Sequence, residues 1–194
     1  MLLVDSSIPA GSIKAREQPR IDIDEHLALR PWRASDAAIV KAAFDSPEIQ
    51  RWHVRRMENL GEALAWIATW PNRWNDEEAA SWAIVDTGQD QPIGQVGLRG
   101  ISLFDAIANL SYWVVPSARG RGVAVHAADA LTRWSFAELG VHRIGLEHSI
   151  ANEASCRVAT KLGFAVDGTL RGAARHTDGW HDMHLHARLA TDEP

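Results

Sequence analysis

The stretch Arg119-Gly120-Arg121-Gly122-Val123-Ala124-Val125 sits where a strand-like run, WVV at 113–115, stops at Pro116 and an alanine-rich helical pattern begins. Glycines at a strand-to-helix corner let the backbone turn tightly and bring its N–H groups close to a bulky group. A helix N-terminus adds unpaired donors and the positive end of a dipole, so the corner suits an anion, and Arg119 and Arg121 add local positive charge. The plain alternative is a capping turn with two surface arginines. Downstream, Asn152 is a natural N-cap for the helical run NEASCRVATKLG, with Ser155 in its first turn. His181-x-x-His184-x-His186 invites a metal, but in a strand only His184 and His186 share a face. No second cluster is visible to complete a set, so no metal is expected. Cys156 follows Ser155, and successive helix positions point about 100° apart, so the two cannot face one reacting group; a packed core cysteine is expected.

Three phosphate-binding patterns compete for the glycine corner. A P-loop needs Lys-Ser or Lys-Thr after its second glycine, where Val123 and Ala124 stand. A dinucleotide fingerprint needs a third glycine where Val125 stands. The pyrophosphate loop of coenzyme A acyltransferases, Gln/Arg-x-x-Gly-x-Gly/Ala, is filled by Arg119, Gly122 and Ala124 at the right spacing.

The elements around these residues follow from periodicity and punctuation. Residues 27–32 and 81–86 read as strands, as do 92–101, 108–115 and 142–150. Asp36 is placed to cap a helix over AAIVKAAF, Pro47 separates it from EIQRW, and 58–70 is helical up to Pro71, which should keep Trp74 out of it. A helix from about Val123 to Leu139 ends at Gly140, and one over 152–163 ends at Gly163. FAVDGTLRG and HDMHLHARL form a last hairpin. This order predicts an α/β layer with a mixed sheet. Residues 1–25 lack periodicity and read as a tail or arm lying on a domain over 26–190, with 191–194 a C-terminal tail.

A chain of 194 residues with 46% hydrophobic and 23% charged residues is long enough to bury a core. Its net charge of −5 implies no general affinity for nucleic acid or anionic membrane. A single cysteine excludes an internal disulfide and suits a reducing cytoplasm. The opening MLLVDSSIPAG does not read as a signal peptide, and no apolar run reaches the roughly 18 residues of a membrane span.

With a strand before the corner, a helix after it and a second motif downstream, residues 26–190 resemble the GCN5-related N-acetyltransferase superfamily, especially its RimJ/RimL branch. The second motif is Asn152, Ser155, Arg157, Ala159, Lys161, Gly163 and Phe164; LRP at 29–31, YWVVP before the loop, and Gly168, Arg171 and Asp182 also match. The resemblance implies a mixed, mostly antiparallel twisted sheet with helices on both faces and splayed central strands. The pantetheine arm of acetyl-CoA would lie in the splay, bonded to the backbone of Val114 and Val115 and to Asn152. The N–H groups of Gly120 to Val125 would wrap the pyrophosphate. A homodimer is compatible with the family.

Acyl transfer needs a neutral amine, a polarised thioester carbonyl and a proton for the departing thiolate. Many relatives carry a tyrosine at the position of Ala159; the resemblance to RimJ/RimL instead makes Ser155 the candidate donor to the sulfur. Some relatives carry a base at the position of Ala174. Without it, His176, Asp178, Glu147 and His53 are the candidates. A low-pKa acceptor such as an α-amine, at about 7.7–8.0, needs little deprotonation, whereas a lysine near 10.4 needs much. The expected activity is transfer of acetyl from acetyl-CoA to a primary amine, a small molecule or a protein N-terminus, by direct attack. Another acyl group such as succinyl, or a non-catalytic coenzyme A sensor, would use the same cradle.

Overall fold

The computed structural model describes residues 3–192, so Met1 and Leu2 and the last two residues of the expected C-terminal tail lie outside the described residues. Among the described residues, eight strands, β1 (Ile21–Asp22), β2 (Leu27–Pro31), β3 (Ala79–Asp86), β4 (Gln91–Ser102), β5 (Ile107–Val114), β6 (Arg143–Ser149), β7 (Ala165–His176) and β8 (Gly179–Leu189), form one sheet. Its order is β1-β2-β3-β4-β5-β6-β8-β7, with β5–β6 the parallel pair. The antiparallel neighbours are joined by turns or longer excursions. The parallel pair is joined through α4 (Val123–Trp134), which a π turn over Ser135–Leu139 extends to Gly140.

Period-2 alternation sends side chains into two cores. Leu29, Trp82, Ile84, Leu98 and Leu110 face α4 and the helix α5 (Glu153–Lys161), where Ala127, Leu131, Ala159 and Leu162 close a core. On the other face, Trp113 and Ala79 meet α1 (Ala37–Asp45), α2 (Pro47–His53) and α3 (Leu60–Asn75) through Phe44, Ile49, Trp66 and Trp70.

Two expectations about the helices are corrected. Asp36 does not cap α1 with its side chain. Its carboxylate is taken by buried Arg30, with bonds of 2.8 and 3.0 Å, and by the Arg33 N–H at 2.8 Å. Pairing a guanidinium that is 3% exposed outweighs a cap, because an uncompensated buried charge is far costlier than an unsatisfied helix end. Pro71 does not end α3, which runs on to Asn75. The ring forfeits one helical bond, but Trp74 is buried against Trp82 and its indole donates to the Arg16 carbonyl at 2.8 Å. Burying an indole outweighs that single bond.

The segment before β2 is held on the body. Ile8 and Ile13 are buried, and Glu77 accepts the N–H groups of Gly11 and Ile13 at 2.7 Å. β1 then pairs with β2 at the sheet edge.

Candidate active site

The register between β5 and β6 runs only from Ile107↔Arg143 to Leu110↔Leu146, although β5 continues to Val114 and β6 to Ser149. Beyond Leu110 the two strands part. A cleft of about 660 Å³ fills the gap and is lined by both strands, the glycine corner, the start of α5, and Trp52 and His53 of α2.

The hydrogen-bond alternation of β5 decides which backbone groups face this gap. Val115 N–H donates to the Ile93 carbonyl at 2.9 Å, while Val114 and Gly94 stand opposite one another. In an antiparallel ladder this makes Val114 and Gly94 a non-bonded pair, so Val114 turns its N–H and C=O away from β4 and into the gap. Tyr112, opposite Val96, is turned the same way. The expected pairing of Val114 with Val115 is therefore corrected, because consecutive strand residues point to opposite sides. Val114 faces the cleft, and the Val115 amide is spent on the sheet.

At the corner, Gly120 and Gly122 adopt φ of +77° and +78°, which side chains other than glycine rarely accept. A Cβ added to Gly120 would meet nothing within 4 Å, so the space above the loop is open. Gly122 is the N-cap of α4, and the first helical bond runs from His126 N–H to the Gly122 carbonyl. That leaves the N–H groups of Val123, Ala124 and Val125 without intrahelical acceptors. Gly120, Gly122, Val123, Ala124 and Val125 line the cleft, with Arg119. Arg119 donates from Nε to the Val114 carbonyl at 3.0 Å, tying the corner to the strand end. Arg121 is exposed and is not part of the lining. Arg157 and Lys161, which entered the sequence reading only as motif letters, line the cleft and add positive charge.

Asn152 accepts the Ser155 N–H on its side-chain oxygen at 3.2 Å, capping α5. This leaves the Ser155 hydroxyl free, and it lies 2.7 Å from the Tyr112 hydroxyl. Burial pushes the Tyr112 phenol up to about 12, so it stays protonated across the working range. Spacing missed this pair, which is 43 residues apart in the chain. The available signal was strand alternation, since Tyr112 shares the face of Leu110 and Val114 that packs towards α5. Ala159, the tyrosine position of other relatives, is 0% exposed with no room for a ring.

The opposite wall carries the candidate bases. Ala174 lines the cleft without a carboxylate, and Asp182 accepts the Gly172 N–H at 2.7 Å, clipping an irregular stretch of β7. His176 donates from Nδ1 to the Arg51 carbonyl at 3.0 Å and stacks on His181 at 4.3 Å. His181 bonds Asp178 through Nε2 at 2.8 Å and the Ser149 hydroxyl through Nδ1 at 2.7 Å. A carboxylate only accepts, so Nε2 carries the proton and Nδ1 receives the Ser149 O–H. Asp178 is held below the usual carboxylate range by its own backbone N–H and by His181. Ser149 lines the cleft, so Asp178, His181 and Ser149 form a chain ending there. Glu147 lines the cleft without a bonded partner among the described residues. Of Trp52, Trp66, Trp70 and Trp74, Trp52 lines the cleft; the other three are buried.

His53 donates Nε2–H to the Tyr112 carbonyl at 3.0 Å, and burial drives its pKa down to about 4. A folded value below the unfolded 6.5 means that neutral His53 stabilises the fold above pH 6.5. That contribution is lost as pH falls through 6.5 towards 4. Its ceiling is about 3 kcal/mol. In urea titrations at pH 7.5 and pH 4.5, His53→Gln, which keeps a donor for Tyr112, should lose less stability on acidification than the wild type. An identical acid loss in both proteins would contradict the assignment.

A splayed mixed sheet, a bare N–H cradle at a helix start and a cleft walled by paired hydroxyls suit an acyltransferase with an extended, anionic acyl carrier. Residues 26–165 match the acetyltransferase (GNAT) domain family, and the chain belongs to it. It is an N-acetyltransferase. It is 28% identical over 148 residues to the uncharacterized N-acetyltransferase YoaA of Bacillus subtilis, covering 76% of this chain and 84% of that one. Ribosomal-protein-serine acetyltransferase of Escherichia coli is 29% identical over 102 residues, 52% of this chain and 56% of its own. Among solved structures, RimL, a ribosomal L7/L12 alpha-N-protein acetyltransferase in complex with coenzyme A, superposes with a TM-score of 0.80. The identity is 19%, over 88% of this chain and 98% of that one.

Proposed function

We propose that the chain transfers acetyl from acetyl-CoA to an α-amine or another low-pKa primary amine, by direct attack within the β5–β6 cleft. The observation that carries this reading is the Val114 N–H turned into the gap, with the Tyr112–Ser155 hydroxyl pair beside it and the N–H cradle of α4 at its end. The diphosphate lies on the N–H groups from Gly120 to Val125, with Arg119 alongside, and the pantetheine arm bonds the exposed edge of β5 next to Asn152. The coenzyme A held by the RimL neighbour supports this placement. The amine nitrogen attacks the thioester carbonyl, the C–S bond breaks, and Ser155, backed by Tyr112, hydrogen-bonds the departing sulfur and relays to it a proton supplied by solvent, to which His181 later returns the one it took. The amine's own proton passes to Ser149 as Ser149 hands its proton to His181, whose ring Asp178 orients.

The lack of a carboxylate at Ala174 favours acceptors that are already partly neutral. The acceptors in the names of the E. coli relative and the RimL neighbour, ribosomal proteins and an α-N position, agree with that preference. A cytoplasmic location is part of the proposal, supported by the lone cysteine; among the described residues, no helix is long and apolar enough to cross a membrane.

Thiol release from acetyl-CoA tests the reading, using one peptide with a free α-amine and the same peptide blocked at its N-terminus but carrying a lysine. Release should follow the free α-amine. His181→Gln should slow it about 100-fold at pH 6.5. That deficit should shrink as pH passes the amine's own value, about 7.7–8.0, because the amine then arrives neutral. Equal rates with the blocked peptide would overturn the acceptor assignment. A deficit independent of pH would overturn the relay.

A further inference from the structure

The face of the sheet covered by α5 brings four metal-ligating side chains together beside the cleft, whose lining includes His148 as well as the neighbouring Ser149. His148 on β6 stands directly across from His184 on β8, His186 lies two residues further along the same face, and Cys156 comes down from the first turns of α5. One ligand atom from each lies within 4.8 Å of the other three. Sequence spacing showed His184 and His186 alone. Their companions come from β6 and α5 and are joined only by strand register and helix packing.

The hydrogen bonds around the cluster fix what its nitrogens can do. His148 Nδ1 faces the Ser149 carbonyl at 2.8 Å, and His186 Nδ1 faces the Phe164 carbonyl at 3.4 Å. A carbonyl only accepts, so both Nδ1 atoms carry protons and both Nε2 atoms carry lone pairs. Those two Nε2 atoms face each other at 3.1 Å. With both rings neutral those lone pairs repel, and either a proton taken up by one ring or a metal ion bound by both relieves the contact. His184 Nδ1 is buried with no partner among the described residues, and Cys156 is a free thiol. A buried unpaired nitrogen beside two opposed lone pairs is an unsatisfied polar cluster, which folded proteins avoid.

A proton on one ring would settle the His148–His186 contact alone, whereas a metal ion also gives the buried His184 Nδ1 and the Cys156 thiol a partner. Backbone carbonyls on the far nitrogens are the usual means of orienting histidine ligands. Tetrahedral zinc, with bonds of about 2.0–2.1 Å to nitrogen and 2.3 Å to sulfur, sets three nitrogens and one sulfur roughly 3.3–3.6 Å apart. From within 4.8 Å of one another, the four atoms need to close by about 1 Å to reach that spacing. One thiolate with three imidazoles suits zinc over calcium or magnesium, which take oxygen ligands.

We propose that His148, Cys156, His184 and His186 bind one Zn2+ in a closed, structural site. Four protein ligands leave no open position for substrate, so the ion does not act on the acyl group. It staples α5 to β6 and β8. That helix buries only Ser155 and Ala159 of its own, so a metal anchor at Cys156 holds the neighbouring Ser155 hydroxyl in place at the cleft wall, where His148 also stands. The site is independent of which amine the enzyme acetylates.

The test uses tag-free full-length protein purified without chelator. Elemental analysis should find about one zinc per chain, and Co2+ exchanged into it should give intense visible bands of a tetrahedral site and a near-ultraviolet thiolate-to-cobalt band. Cys156→Ser should abolish the thiolate band and weaken zinc binding about 100-fold or more. Chelation should lower Tm by several degrees, and added zinc should restore it. Neither metal retained on purification nor cobalt bands on adding Co2+ would overturn the site. Cobalt bands that survive Cys156→Ser unchanged would overturn the four-ligand assignment. All these readouts are independent of acetyl transfer.

Discussion

Calorimetric titration of Gly122→Trp with acetyl-CoA is expected to register no binding heat where the wild-type chain binds. Gly122 holds φ at +78°, so any side chain there is strained, and its Cβ would lie 3.4 Å from the His126 ring. The left-handed backbone costs roughly 1–2 kcal/mol. The position is exposed, so the fold tolerates that cost. An indole at the N-cap of α4 instead fills the approach to the N–H groups of Val123, Ala124 and Val125, where a diphosphate must come within hydrogen-bond distance. The expected result is an affinity at least about 100-fold weaker with Tm changed by only a few degrees. Tight binding by a well-folded variant would place the carrier elsewhere.

The second large effect is on turnover. Ser155→Ala is expected to lower kcat about 100-fold, with KM for acetyl-CoA changed only a few-fold. The substitution leaves the helix start intact, because Asn152 caps α5 through the Ser155 N–H, not through its hydroxyl. Tyr112→Phe keeps the ring and removes only the hydroxyl 2.7 Å from Ser155, and should cost about 10-fold. Groups that act as one unit do not add, so the double variant should be barely slower than Ser155→Ala. Steady-state thiol release with saturating amine measures all three. Full turnover by Ser155→Ala would remove the hydroxyl pair from the chemistry.

What the sequence disclosed about this molecule was local. The glycine corner, the Asn152 cap, the ends at Gly140 and Gly163 and the last hairpin depend on residues within a few positions of each other, and the structure has them. The order of elements and the family motifs carried the splayed sheet as well. Asp36 and Pro71 were misread because propensity is a weak force beside a buried arginine or a buried indole. The contacts that escaped join elements distant in the chain. Tyr112 to Ser155 depends on where α5 packs, and Ser149 to His181 and His148 to His184 on which strand lies beside which; spacing along one segment carries no trace of either. Val115 was lost to a subtler rule, the alternation of the ladder, once the β4 pairing was known.

The parallel seam between β5 and β6 has a further cost. Four residue pairs join two halves that are each built from antiparallel neighbours. Parallel pairing across an intervening helix closes a long loop, so it forms slowly relative to hairpins. Until that seam closes, β5 and β6 are each a strand border with unpaired backbone groups, open to any chain that can add a strand. The opening that admits a substrate and the one that invites a neighbouring chain to add a strand are the same feature, met at two moments in the protein's life.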